Sequence, residues 1–307
     1  MRIVRYILVL STVFKWMTKM SLNIAKTLIH GAVVGLNAYI KPGGIHRYSP
    51  GTLFDEVLCN IISITNNLVD AVELGNKVRR GELAASGIRY RMLLVDPLKE
   101  VFRSCNIVHP QFVIPLIIGG VALGISGVES ILEESSKFKK ALELIMLSSA
   151  WSDIKHFIDA LRTIGRHDMY DHLKESSYVD IAILKTSVNL NDLCRALGSR
   201  WRGFLIIEIH EGILFTYLKK LQEIYKSERS LSHSVIRLYM ELVKLHIPPT
   251  LAERVRSAEL CGYMKTQECA KVMYELELIF RKNKMIFNDI SEVAILIAAF
   301  GSFEGLK

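Results

Sequence analysis

Apolar residues recur every three to four positions through almost every long segment of this chain, the period of a helix with one buried face. Within 52–76, Phe54, Leu58, Ile61, Leu68 and Val72 form one stripe, and Asp55, Asn66, Asn67, Asp70 and Glu73 lie off it. Within 203–226, Ile206, Ile209, Ile213, Tyr217, Leu221 and Ile224 repeat the pattern. The same reading predicts helices near 22–38, 85–104, 111–123, 128–149, 152–164, 189–199, 230–245, 249–261, 264–281 and 289–302. Thr52 and Asp55, after Ser49-Pro50-Gly51, resemble a helix-start capping box. Alternating strand-like runs are few, no repeat recurs at solenoid spacing, and no linker divides the chain. The expected architecture is a single all-α, multi-helix domain, orthogonal or bundle-like, over 20–307, preceded by an extension over 1–19.

Composition narrows the class. Half of the 307 residues are hydrophobic and 23% are charged, which excludes a disordered chain. The net charge is +8, and half of it comes from Arg2, Arg5, Lys15 and Lys19 in a stretch without acids. The remaining balance is too mild, and too poor in aromatic-interleaved basic stripes, for a nucleic-acid partner. Cys59, Cys105, Cys194, Cys261 and Cys269 are odd in number and contain no C-x-x-C pair. That spacing predicts neither a disulfide framework nor a structural zinc site, and makes a reducing, cytoplasmic compartment the expectation.

Two apolar stretches bear on membranes. Residues 1–19 have a basic start and the uncharged run Tyr6–Phe14, but no small-x-small cleavage site follows. The readings are an over-long or frayed extension, with translation from Met17 or Met20, a first helix, or an anchor or signal. Ser104–Val128 carries no Asp, Glu, Lys or Arg and is long enough to span a bilayer. Pro110, Pro115 and four glycines interrupt it and no aromatic belt flanks it, so it reads as a core helix buried on all sides.

The most distinctive string is Lys41-Pro42-Gly43-Gly44-Ile45-His46-Arg47-Tyr48. A Pro-Gly-Gly break between helices groups Lys41, His46 and Arg47, and cations beside free backbone N–H groups suit a polyphosphate. The same string also suits an ordinary loop with solvated charges. Glu208-Ile209-His210-Glu211 places two carboxylates three apart on a predicted helix, but residue 214 is Leu, so the second His of a zinc motif is missing. Arg166-His167-Asp168 reads as a polar loop.

Together these strings resemble the triphosphoribosyl-dephospho-CoA synthase family. The resemblance rests on Ile40–Arg47, Leu53-Phe54-Asp55, the spacing of Asp153, Ala160 and Arg162 with Gly165 after it, Asp192-Leu193, Gly203-Phe204, Pro248–Arg254 and the closing helix Ala294–Phe300. These lie in the family's order from about Ala25 to Phe300. The chain departs from the family at Leu36–Tyr39, which lacks an acid, and at Ile107–Phe112, where the family has a polar Asn-Thr-x-x-Gly string. It departs again at Arg166-His167-Asp168 in place of a glycine turn, at Val255 in place of a basic residue, and at Asn288–Val293 in place of a Gly-Thr-Thr loop.

The resemblance implies a fold and a reaction: the triphosphoribosyl group of ATP passes to a hydroxyl of dephospho-CoA and adenine leaves, giving the precursor of a lyase prosthetic group. It implies a cationic and backbone clamp from Lys41, Gly43, Gly44, Arg47, Arg162, Thr250 and Arg254, with Arg256 in reach. It implies His46 as base or phosphate ligand and Asp153 as a catalytic residue and Mg²⁺ ligand, in a pocket where 41–47 meets 153–162 and 250–256. Asp153 is also placed to do no more than cap its helix after Ser152. The alternative is a relative without the activity that binds a nucleotide, a CoA-like ligand or a protein partner. A third reading has residues 1–19 and 104–128 associate with a membrane.

Overall fold

The computed structural model describes the backbone of residues 2–176 and 188–307 and the side chains of residues 19–176 and 188–307. The described residues form α1 (Arg2–Asn37), α2 (Leu53–Ser63), α3 (Thr65–Arg79), α4 (Tyr90–Leu94), α5 (Asp96–Cys105), α6 (Pro110–Ser126), α7 (Ser135–Ser148) and α8 (Trp151–Thr163). The chain continues through α9 (His167–Glu175), α10 (Leu190–Gly198), α11 (Ile213–Glu228), α12 (Leu231–Val243), α13 (Pro249–Cys261), α14 (Gln267–Lys282) and α15 (Asn288–Phe303). Two 3₁₀ turns, Ala85–Gly87 and Arg202–Ile206, complete them, and no strand occurs among the described residues. The fold is all-α.

Two helices set the centre. Every residue of α6 from Pro110 to Gly124 is buried, and so is every residue of α15 from Ile290 to Ser302. A helix apolar on all faces must be enclosed on all faces. α3 and α7 cover α6, while α1, α11 and α12 cover α15. Within the run Ser104–Val128, Pro110–Ser126 is therefore the core helix, while Ser104, Asn106 and Ile107 before it are exposed. Among the described residues no single helix is long and apolar enough to cross a membrane.

α3 and α6 touch backbone to backbone. A Cβ on Gly75 would stand 2.2 Å from the Val121 carbonyl oxygen, and one on Gly124 would stand 2.2 Å from that of Val72. Reciprocal glycines let the two helices approach closely, and any side chain there must push them apart.

Several expectations need correction. The boundary at 19/20 falls inside α1. The 52–76 stripe breaks at Ile64 into α2 and α3, bent by 44°. Thr52 makes no side-chain cap; its hydroxyl donates to Glu56 instead. The 203–226 stripe is helical only from Ile213, after Gly212 in the left-handed region. Glu208 therefore sits in a turn, where its buried carboxylate accepts from Asn191, Arg195 and the N–H groups of His210 and Glu211. Residues 167–175, read partly as loop, form α9.

The cysteine reading is also corrected. Cys59–Cys105 ties α2 to the end of α5, and Cys261–Cys269 closes the turn between α13 and α14. Cys194 is a buried thiol. Neither pairing is legible from spacing, because one spans 46 residues and the other joins two helices folded back on each other. With the thiols paired, cysteine usage no longer argues for a reducing compartment.

Gly124→Val is expected to destabilise the fold by about 3 kcal/mol or more, since it overpacks a backbone contact. Urea unfolding followed by circular dichroism measures this, and an unchanged midpoint would contradict the crossing.

Candidate functional site

The Pro-Gly-Gly string is buried rather than open. Residues Ile40–His46 are enclosed between α12, α14 and the start of α15. The Lys41 amine is fully buried and donates to the carbonyl oxygens of Gly35 (2.8 Å), Leu36 (3.1 Å) and Ala38 (2.5 Å). These are carbonyls of the last turn and exit of α1, which have no partner within the helix, so Lys41 caps α1. Burial pushes its pKa down to about 7. Gly43, in the left-handed region, donates its N–H to Glu277 (2.5 Å) and its carbonyl accepts from Phe287 N–H (2.8 Å). The carbonyl of Gly44 accepts from Arg281 (2.8 Å), and its Cα faces Ser291 and Tyr239 so closely that a Cβ would stand 2.2 Å from Ser291 Oγ.

His46 belongs to the same buried network. Its Nδ1 accepts from Tyr48 N–H (3.2 Å), which takes the lone pair a base would need, and Nε2 lies 3.4 Å from Glu277. Burial pushes the imidazole below its ordinary pKa, against the Glu277 carboxylate, which raises it. Glu277 is pushed up by burial but carried below its ordinary value by hydrogen bonds from His46, Arg281 and Gly43.

The other residues implied by the resemblance lie apart from this loop. Arg47 is exposed. Asp153 accepts from Ala150 N–H (2.9 Å) and caps α8. Arg162 covers the Tyr170 ring at 5.1 Å. Thr250 and Arg254 are exposed on α13, as is Arg256. Neither cavity bordered by the 39–48 segment has a wall from 153–162 or 250–256. Asp153 is a lone carboxylate already engaged in capping, and among the described residues no three His, Cys, Asp or Glu side chains gather around a point. The implied Mg²⁺ does not fit at Asp153.

A polar cavity of about 570 Å³ does form elsewhere, where three helices begin. His109 and Gln111 come from the start of α6, Arg166 from the start of α9, and Asn288, Asp289 and Glu292 from the first turns of α15. Arg200 and Trp201 precede the 202–206 turn, and Ile45 reaches it from the buried loop. Gly203 permits the closure: a Cβ there would stand 2.3 Å from the Gln111 carbonyl oxygen. Helix starts present unpaired N–H groups and the positive end of the helix dipole.

The walls carry charge in an ordered way. Arg166 grips Asp168 with two hydrogen bonds (2.8 and 2.7 Å), donates to the Val108 carbonyl (2.9 Å), and lies over Trp201 at 5.8 Å. Arg200 lies over Trp201 at 5.1 Å and has no ion-pair partner among the described residues. Arg202 pairs with Asp289 at 3.1 Å.

Two titratable residues with shifted pKa values line this space. Glu292 accepts from Gln111 (3.1 Å) and Gly203 N–H (3.2 Å), yet burial outweighs both donors and pushes its pKa up to about 8. At neutral pH it is a carboxylic acid, able to donate. His109 Nε2 lies 3.0 Å from Glu56. Burial lowers the pKa of His109, against the hydrogen bond it donates to Glu56, so the ring is neutral at pH 7. Burial thus pushes one of these groups up and the other down, which favours the neutral form of both.

Reading residues by type found Lys41 and His46 because they are cations beside glycines. It passed over Glu292, His109 and Arg200, whose importance comes from helix starts that meet only in three dimensions. The local signal was present as departures: Ile107–Phe112, Arg166-His167-Asp168 and Asn288–Val293 each supply a wall of the cavity. No protein-family model, no curated protein and no solved structure matches the chain significantly.

Two outcomes are expected. Lys41→Met, which leaves three buried carbonyls unpartnered, destabilises the fold by roughly 2 kcal/mol or more without changing ligand affinity of the folded protein; thermal melting paired with calorimetry measures both. Glu292 binds its proton more tightly folded than unfolded, so its contribution to stability is complete below about pH 4.3 and falls as pH rises towards about 8. Glu292→Gln removes this loss, so the variant melts higher than the parent at pH 8 and shows a flatter pH dependence. Parallel melting curves across that range would contradict it.

Proposed function

We propose that the chain is a nucleotide-directed transferase of the kind its sequence resembles, working from the cavity at the starts of α6, α9 and α15. The reading is carried by one observation. Segments that lie far apart in sequence converge on one cavity that holds a neutral acid and a neutral base: Ile45 from the first string of the resemblance, Gly203 behind Glu292, and the departures at Gln111, Arg166 and Asn288–Glu292.

In this reading a phosphorylated nucleotide, ATP by resemblance, lies with its phosphates toward Arg200 and the helix starts, and its base toward Glu292. Guanidinium groups and helix N-termini suit phosphoryl oxygens. The glycosidic C–N bond breaks with its electron pair leaving on adenine. A proton from Glu292 neutralises that charge, and the hydroxyl oxygen of dephospho-CoA bonds to the ribose carbon. Protonating a departing base is general acid catalysis, which contributes about 10²–10⁴-fold.

The second reading is a relative that binds the nucleotide or a CoA-like ligand without turning it over. The engagement of Lys41 with α1 and of Asp153 with α8 favours it, because both lie outside any clamp.

The test incubates the full chain with ATP, Mg²⁺ and dephospho-CoA and follows free adenine by chromatography. Adenine formed only with both substrates, falling about 100-fold or more in Glu292→Gln, supports the transferase. Arg200→Ala is expected to weaken ATP binding about tenfold. No adenine from folded protein that binds ATP or dephospho-CoA would leave the binding reading, and binding of neither would overturn both.

A further inference from the structure

We propose that His109, oriented by Glu56, is the proton acceptor of the cavity: its Nδ1 takes the hydroxyl proton of the acceptor substrate as that oxygen bonds to the ribose carbon. The inference rests on the transfer reading above. It also completes the proton balance, since the acceptor's proton enters at His109 while Glu292 supplies the proton that leaves with adenine.

The orientation of the ring follows from its neighbour. Burial pushes Glu56 up, but hydrogen bonds from Thr52 and His109 carry it below its ordinary pKa, so it is a carboxylate and can only accept. The 3.0 Å contact therefore requires Nε2 to be the donor. In the neutral ring that leaves Nδ1 with its lone pair, and the contact of Nε2 with Glu56 is the ring's one hydrogen bond among the described residues. A carboxylate that fixes the tautomer and steadies the imidazolium once the proton arrives is the second member of a catalytic dyad.

The mounting of His109 is rigid. Its backbone N–H donates to Asn60 Oδ1 (2.7 Å), and Asn60 Nδ2 donates to the carbonyls of Glu56 (2.8 Å) and Ile107 (2.8 Å). Asn60 is fully buried and so holds the approach to α6 onto α2. The Cys59–Cys105 bond fastens the same two segments next to it. Glu56 is thus held on α2 and His109 just before α6, and His109 is one of the residues lining the cavity.

A structural ion pair between α2 and the start of α6 would show the same contact but would not respond in kcat. The full chain is assayed for adenine formation from ATP and dephospho-CoA. His109→Gln is expected to lower kcat by about 10²–10⁴-fold, with KM for both substrates within about threefold. Glu56 is a positioning residue: Glu56→Gln is expected to lower kcat about tenfold or more, and Glu56→Asp to restore part of it. Melting curves of each variant separate loss of fold from loss of turnover. His109→Gln protein that is folded and keeps its parent kcat would overturn the dyad while leaving the transferase reading intact. A parent protein that forms no adenine would overturn the transfer reading and this role with it, and the two failures differ in whether the parent is silent.

Discussion

Enclosure of α6 and α15 is the constraint on which the rest of the structure depends. Both helices are apolar on every face, so neither tolerates a solvent-facing side, and the other helices are arranged to cover them. The tightest cover is the α3–α6 crossing, where glycines bring backbones together. Polar side chains on the two core helices are then confined to their ends, and the amide and carboxyl groups to their starts. Gln111 and Glu292 meet there, and the buried carboxyl is tolerable because it accepts two hydrogen bonds and holds its proton. The packing of the core thus produces the chemical character of the cavity.

The buried 41–46 loop follows from the same enclosure. The chain leaves α1 beside α15 and must pass under α12 and α14 before α2 begins. A loop buried there needs partners for its backbone groups. Glu277, Ser291, Tyr239 and Arg281 supply them, and Lys41 supplies the end of α1. Two glycines are required because neighbouring atoms stand where Cβ atoms would be. The string is distinctive in sequence because its packing is demanding.

The helices were largely legible because a buried stripe leaves a 3.6-residue trace, and the apolar run with its prolines and glycines marked α6 as core. Breaks were less legible. Ile64 is buried and keeps the register of the stripe between Ile61 and Leu68, so the period does not show that α2 ends there. The stripe through Ile206 and Ile209 continues in register although the helix starts only after Gly212. The candidate site was legible in part. The residues implied by the resemblance lie apart, and most side chains that face the cavity come from segments where the chain departs from the family's strings. Burial decides the roles: Lys41 has a ligand-binding residue type in a place no ligand reaches, while Glu292 has a surface residue type in a place that keeps it protonated. Neither fact is a property of local sequence.

The claim on which the account turns is where the nucleotide sits, and a crystal structure of the chain with ATP bound tests it most directly. The account predicts phosphate density beside Arg200 and the starts of α9 and α15, with the base within hydrogen-bond reach of Glu292. ATP lying instead along Arg47 and Arg254, with the α6–α9–α15 cavity filled only by water, would contradict it.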